Sequence, residues 1–295
     1  MHVFITGVSG FVGQHLARHL LACGDRVSGS YLGAPPQLSG AEVAEIDLAD
    51  TPDLTRAIRE AAPDAVVHLA GWSQVGASWQ HMGECFRANV LGTENVLQAA
   101  AGATFVLASS AEVYGPVAPE QQPLHEDAVP DPQSPYALTK AAAERLVLAA
   151  GGVVVRCFNV VGPGQSPHFA LPAFTAQLAA IERGEQEPVL RVGNLSARRD
   201  FVHAEDAARA YRLLAARGAR GRIYNLATGS ACSVGEALER LLVISGVAAR
   251  VEPDPQRLRP VDVPLLVGDN RRLRELGWQP EHSLDQALED LWRAR

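Results

Sequence analysis

The stretch His2-Val3-Phe4-Ile5-Thr6-Gly7-Val8-Ser9-Gly10-Phe11-Val12-Gly13 decides the fold. Residues 2–6 read as a short, largely apolar strand, and residues 14–23 carry apolar side chains at helical spacing. Three glycines, three positions apart, lie between them. Strand, glycine turn and helix in that order let a backbone approach a pyrophosphate, which then sits against the free amides of the helix N-terminus. Gly7, Gly10, Phe11, Val12 and Gly13 are therefore candidate contacts to a dinucleotide. The pattern predicts an α/β protein built on a doubly wound parallel sheet of Rossmann type.

Length and composition agree. The chain has 295 residues, enough for one large or two modest domains. It is 47% hydrophobic and 20% charged, as an ordinary globular protein is. The net charge of −7 without a basic run argues against a nucleic-acid partner. No apolar stretch reaches the roughly 18 residues of a membrane span, and the first residues read as a strand and not as a signal peptide. Cys23, Cys85, Cys157 and Cys232 are scattered without C-x-x-C spacing. That pattern predicts no metal cluster or disulfide frame, and a cytoplasmic location.

A second stretch carries chemistry: Ser134-Pro135-Tyr136-Ala137-Leu138-Thr139-Lys140. Lys140 is the only lysine, so the 26 cations comprise it and 25 arginines. Ammonium is a compact charge with rotatable donors, and guanidinium a broad planar fork. Tyr136 precedes Lys140 by four residues and shares its face of a helix, which Ser134 caps and Pro135 starts. A cation beside a phenol lowers its pKa, so the spacing predicts a tyrosine able to donate a proton near neutral pH. An exposed tyrosine and lysine on a surface helix is the plainer alternative.

The strand at 26–31 ends Gly29-Ser30-Tyr31-Leu32. An acid there would hold the ribose hydroxyls of NAD, and a base the phosphate of NADP. Neither is present. Ser30 suits a phosphate or a hydroxyl, and the missing acid leans toward NADP with NAD still open. A continuous apolar run at 64–70 predicts a buried parallel strand, with His68 packed inside it. Ser73, Gln74 and Val75 follow at the carboxyl edge of the sheet, where such folds bind ligands.

The G-x-x-G-x-x-G turn together with Tyr-x-x-x-Lys resembles the extended branch of the short-chain dehydrogenase/reductase superfamily. The resemblance becomes narrower at Arg156-Cys157-Phe158-Asn159-Val160-Val161-Gly162-Pro163-Gly164-Gln165. That run is similar to the Arg-x-Phe-Asn-x-x-Gly-Pro-Gly-Gln of the GDP-4-keto-6-deoxy-mannose reductase family of GDP-rhamnose synthesis. It implies Ser110 as the third catalytic member beside Tyr136 and Lys140, with Glu112 reaching the same pocket or standing as a solvated loop acid. It implies further coenzyme contacts at Asp47, Leu48, Leu69 and Ala70, Asp47 being alternatively a helix cap. Asn89, in a long helix, would support the fold. Substrate contacts would come from Asn159, from Val192 and Asn194 of Val192-Gly193-Asn194-Leu195, and from Arg199 and Arg259 on a diphosphate. Asp262 stands where the family carries glutamate.

The resemblance implies a coenzyme-binding domain of residues 1–158 plus about 199–226. A smaller α/β substrate-binding domain would hold 159–198 plus about 227–295, with the site between them. The implied reaction is NADPH-dependent reduction of the 4-keto group of a GDP-linked 4-keto-6-deoxy sugar by a homodimer. A GDP-mannose 4,6-dehydratase, another nucleotide-sugar epimerase or dehydratase, and a non-catalytic NAD(P)-binding regulator are the alternatives.

Overall fold

The computed structural model describes residues 1–258 and 262–295. Arg259 lies outside them. The chain opens with β1 (His2–Thr6), α1 (Phe11–Ala22), β2 (Arg26–Tyr31), β3 (Ala41–Glu45), α2 (Thr51–Ala61) and β4 (Ala65–His68). A helical stretch follows in three pieces: α3 (Met82–Phe86), a π-helical turn over Arg87–Leu91, and α4 (Gly92–Ala99). Next come β5 (Thr104–Ser110), α5 (Pro135–Ala149), β6 (Val153–Cys157), β7 (Asn159–Val161), α6 (Ala170–Glu182) and β8 (Val189–Val192). After β9 (Arg198–Arg199) and β10 (Phe201–His203) the chain forms α7 (Ala204–Arg217) and β11 (Ile223–Leu226). It ends with β12 (Cys232–Ser233), α8 (Val234–Ser245), β13 (Arg250–Pro253), β14 (Leu265–Leu266), α9 (Arg271–Glu275) and α10 (Leu284–Arg293).

Seven parallel strands form the main sheet in the order β3-β2-β1-β4-β5-β6-β11. Helices cover both faces, so the inner strands β1, β4, β5 and β6 read as largely apolar runs. Val3, Ile5, Val67, Val106 and Val155 face α1 and α7, meeting Leu16, Leu20 and Tyr211. Phe4, Val66, Phe105, Leu107 and Val154 face the other way, meeting Leu54, Val96 and Val147 of α2, α4 and α5. A separate apolar cluster joins Phe174 and Leu178 of α6 to Leu190, Leu238, Leu288 and Trp292. Strand order reverses at β1, so the connections leaving β1 and β4 diverge and open a crevice at the carboxyl edge.

Local signals act as expected at α5. Ser134 Oγ accepts from Ala137 N at 3.1 Å and Pro135 is the first helical residue. Two details differ. Asp47 does not cap α2, since Asp50 does, accepting from Asp53 N at 3.2 Å. The long helix around Asn89 runs unbroken over residues 82–99 as expected, but carries a π turn in its middle. Asn89 Oδ1 accepts from Trp72 N at 2.8 Å and its Nδ2 donates to Thr139 Oγ1 at 2.9 Å. Those bonds tie the π turn to the loop after β4 and to α5, the structural role expected of this residue.

Candidate active site

The glycine turn is shaped for close approach. Gly7 has φ +70°, and a Cβ there would stand 2.8 Å from Ala70 Cα. A Cβ on Gly13 would stand 2.3 Å from the Gly7 carbonyl oxygen. Gly10 caps α1 without a side-chain acceptor, so the first-turn amides at Phe11, Val12 and Gly13 stay available to a ligand. A bare backbone wall at an uncapped helix N-terminus suits the pyrophosphate of a dinucleotide. Leu69 and Ala70 leave β4 beside this turn, Ala70 N donating to Thr6 Oγ1 at 3.3 Å. Asp47 is exposed and accepts from Ala49 N at 2.9 Å, and the Leu48 carbonyl accepts from Asn95 at 2.8 Å. Ser30 is corrected: it is fully buried in β2 and its hydroxyl has no hydrogen-bond partner among the described residues. A phosphate cannot reach it without displacing what covers it.

At the other side of the crevice β5 ends on Ser110, and α5 presents Tyr136 and Lys140. Ser110 Oγ accepts from Glu112 N at 3.2 Å and is hydrogen-bonded to the Tyr136 phenol. Lys140 Nζ donates to the Ala108 carbonyl at 2.9 Å and lies 6.0 Å from the Tyr136 ring centre. Serine, tyrosine and lysine are thus gathered at one strand end.

The electrostatics differ from the expectation. Burial pushes the Tyr136 phenol well above its usual pKa; the Ser110 hydrogen bond opposes this and the Glu112 carboxylate adds to it. Burial outweighs the neighbouring cation that the spacing emphasised, so the net shift is upward. The group titrating near neutrality is Lys140, lowered by burial to about 8. Glu112 is half-buried and close enough for its carboxylate charge to raise the phenol pKa. His68 is a packed strand histidine as expected. It lies 2.6 Å from Thr6 Oγ1 and 3.1 Å from Thr93 Oγ1, and burial holds its pKa down at about 3.

Beyond the sheet edge lies a cleft of about 250 Å³ walled by β7, the start of α6 and the 193–199 segment. Asn159, Asn194, Arg199 and Asp262 line it, four residues expected there. Arg199 is 5% exposed and donates to Asp262 Oδ1 at 2.6 Å and to the Val263 carbonyl at 2.7 Å. Asn194 Nδ2 donates to the other Asp262 oxygen at 2.7 Å. Val192 is corrected: it is 2% exposed, packs in the apolar cluster of α6 and α8, and leaves the cleft wall to Gly193. Ser73, Gln74 and Val75 form the loop after β4, where the Gln74 carbonyl accepts from Trp72 Nε1 at 2.8 Å and the Val75 carbonyl from Ser78 Oγ at 2.6 Å. His168, Phe169 and Phe201 also line the cleft. They have no motif of their own, and only their place after β7 and in β10 puts them there.

A doubly wound sheet, a G-x-x-G-x-x-G turn and a Ser110–Tyr136–Lys140 group at the β5–α5 junction define an extended short-chain dehydrogenase/reductase. Within that class the chain belongs to the family described as GDP-mannose 4,6 dehydratase, whose sequence profile it matches over residues 4–291. It is 36% identical over 307 residues to the GDP-6-deoxy-D-mannose reductase of Pseudomonas aeruginosa, covering 99% of this chain and 97% of the relative. The solved structure of RMD from Pseudomonas aeruginosa complexed with NADPH superposes with a TM-score of 0.87 at 34% identity, over 99% of this chain and 98% of that one. The UDP-glucose 4-epimerase of Thermus thermophilus, complexed with NAD, matches with a TM-score of 0.90 at 30% identity, over 100% and 98%.

Proposed function

We propose that this enzyme uses NADPH to reduce the 4-keto group of GDP-4-keto-6-deoxy-D-mannose, giving GDP-D-rhamnose. The observation that carries this reading is the Ser110–Tyr136–Lys140 group, in a chain 36% identical along its whole length to a GDP-6-deoxy-D-mannose reductase. NADPH, when bound, supplies the hydride; NAD is the alternative coenzyme. Gly7 to Gly13 hold the pyrophosphate, and Leu69, Ala70, Asp47 and Leu48 border the nucleoside. Ser110 donates to the substrate carbonyl as it gains negative charge. Tyr136, held protonated by burial, gives the new hydroxyl its proton. Lys140 orients the ribose and keeps positive charge near the oxygen. Preorganised donors of this kind are each worth about 3–4 kcal/mol in the transition state.

The substrate half comprises Ser73, Gln74, Val75, Asn159, Asn194, Arg199, Arg259 and Asp262, with Gly193 in the place first given to Val192. We read the chain as a coenzyme-binding domain of 1–158 plus about 199–226, and a nucleotide-sugar domain of 159–198 plus about 227–295. The separate apolar cluster of α6, α8 and α10 supports that division. Arg199→Ala is expected to weaken GDP binding by about 10–100-fold and leave NADPH affinity unchanged in calorimetric titrations. Unchanged GDP affinity would remove Arg199 from the site.

The reaction is tested by offering GDP-, dTDP- and UDP-linked 4-keto-6-deoxy sugars and following NADPH absorbance. Oxidation with the GDP-linked sugar is expected; preference for the dTDP-linked one would overturn the choice of base. A dehydratase is the second reading, favoured by Glu112, whose carboxylate acts on Tyr136 in the pocket.

The protein is further read as a cytoplasmic homodimer. Free cysteines at 23, 85, 157 and 232 suit a reducing compartment. Met82, Phe86 and Leu91 on the α3–α4 stretch, and Leu138 and Leu146 on α5, are large exposed apolar side chains that a second copy would cover. Sedimentation at micromolar concentration should give twice the chain mass; a monomer would contradict the pairing.

A further inference from the structure

Next to the Ser110–Tyr136–Lys140 group lies a buried ionic cluster that the reaction as read above does not use. Glu144 follows Lys140 by one turn on α5, and Arg156 on β6 is the cross-strand partner of Ser109. Glu144 is 3% exposed and Arg156 2%. The guanidinium grips the carboxylate as a fork, Nε to Oε1 at 3.0 Å and Nη2 to Oε2 at 2.8 Å. Ser109 Oγ donates to the same Oε1 at 2.5 Å. Arg156 also lies 4.6 Å over the Tyr114 ring. Ser109 immediately precedes Ser110, and Tyr114 ends the short 3-10 turn, Ala111–Tyr114, that Ser110 caps. One carboxylate therefore ties the helix bearing Tyr136 and Lys140 to the strand bearing Ser110, and its arginine reaches the turn bearing Glu112.

We propose that Glu144 and Arg156 are positioning residues that set the spacing between the Tyr136–Lys140 helix and the Ser110 strand end. This rests on the reading of those three residues as the reacting group. Nearby, α5 meets the sheet through apolar side chains such as Ala143 and Val147. Apolar contact is non-directional and does not itself specify an angle between helix and strand. A bidentate arginine–carboxylate pair fixes distance and angle together. A buried pair of this kind brings little net stability over apolar residues of the same volume, so its distinctive effect here is geometric. A misplacement of about 1 Å at a reacting centre lowers rates by about 100-fold.

The test compares Glu144→Gln, and the double variant Glu144→Met with Arg156→Met, against wild type, using whichever nucleotide-linked keto sugar the wild type reduces. A wrong choice of substrate above then leaves the comparison intact. Turnover is counted per NADPH-binding site. Glu144→Gln is expected to fold, bind NADPH within about twofold of wild type, and turn over about 10–100-fold more slowly at little-changed KM. Its alkaline break should also move down in pH. The titratable groups facing Lys140 are the Cys85 and Cys157 thiols, both raised by burial and so still neutral near pH 8, the neutral His68 on β4, and Glu144, whose carboxylate charge favours the protonated ammonium. A purely structural pair would lower the melting temperature and the active fraction without moving that break. If the uncompensated arginine stops Glu144→Gln from folding, the double variant decides, because it removes both charges. A folded double variant with kcat within twofold of wild type overturns the proposal, as does a single variant with wild-type kcat and pH profile; a folded double variant about 10-fold slower or worse supports it.

Discussion

Tyr136→Phe should lower kcat by about 10²–10⁴-fold while NADPH binds as in wild type, the usual range for loss of a positioned general acid. The substitution removes one hydroxyl, bonded to Ser110, and leaves the ring packed where it was. Burial holds the phenol pKa well above its usual value, so the residual rate of the variant and the full rate of the wild type should share the same alkaline limb. Stopped-flow hydride transfer and fluorescence titration of NADPH separate the two quantities. Equal losses of coenzyme affinity and turnover would make Tyr136 a structural residue.

Lys140→Arg should cost turnover about 100-fold, even though arginine serves at every other cationic position of this chain. Lys140 is 7% exposed, with Nζ committed to the Ala108 carbonyl and 3.9 Å from where a Gly71 Cβ would stand. A planar fork does not fit that slot. The pH dependence provides a second sign. Folded Lys140 releases its proton near pH 8 instead of the usual 10.5, so wild-type activity should decline as pH rises through about 8. Between about 8 and 10.5 the unfolded chain binds a proton that the folded chain has released, so this group makes stability rise with pH across that window. Arginine keeps its charge throughout, so the variant should lack both effects. Turnover near the wild-type rate would show that the helix is not catalytic.

Much of this was legible because the signals are local. Gly7 and Gly13 act within one turn of backbone, and Ser134 with Pro135 starts α5 using its own next residues. Residues whose role depends on distant cover were not legible. Ser30 looked available at a strand end, but the packing around the sheet seals it. In Val192-Gly193 the side-chain alternation of a short strand sends valine to the core and leaves glycine at the cleft, and four residues of pattern cannot fix that parity. Tyr136 and Lys140 were correctly paired, yet the sign of the tyrosine shift was wrong, because spacing reports proximity and not dryness. Glu144 carries no sequence motif of its own. Its partners Ser109 and Arg156 come from strands 35 and 12 residues away, a juxtaposition that no local pattern encodes. Arg259 falls outside the described residues.

The central claim is net reduction, and the cofactor balance tests it most directly. A dehydratase returns its hydride to the same sugar and consumes no coenzyme; a reductase consumes one NADPH per product. The resemblance implies three leanings toward the reductase: Ala111 where glucose-type dehydratases would carry an acid, Gly162-Pro163-Gly164-Gln165 in place of the arginine-bearing loop expected of GDP-mannose dehydratases, and a chain without their extra length. The measurement is the molar ratio of NADPH oxidised to GDP-6-deoxyhexose formed, beside a parallel reaction of enzyme with GDP-mannose alone. The expected result is about one NADPH per product from GDP-4-keto-6-deoxy-D-mannose, and no change in GDP-mannose. Conversion of GDP-mannose to its 4-keto-6-deoxy form without added reductant would contradict the claim and make Glu112 the central residue of the site.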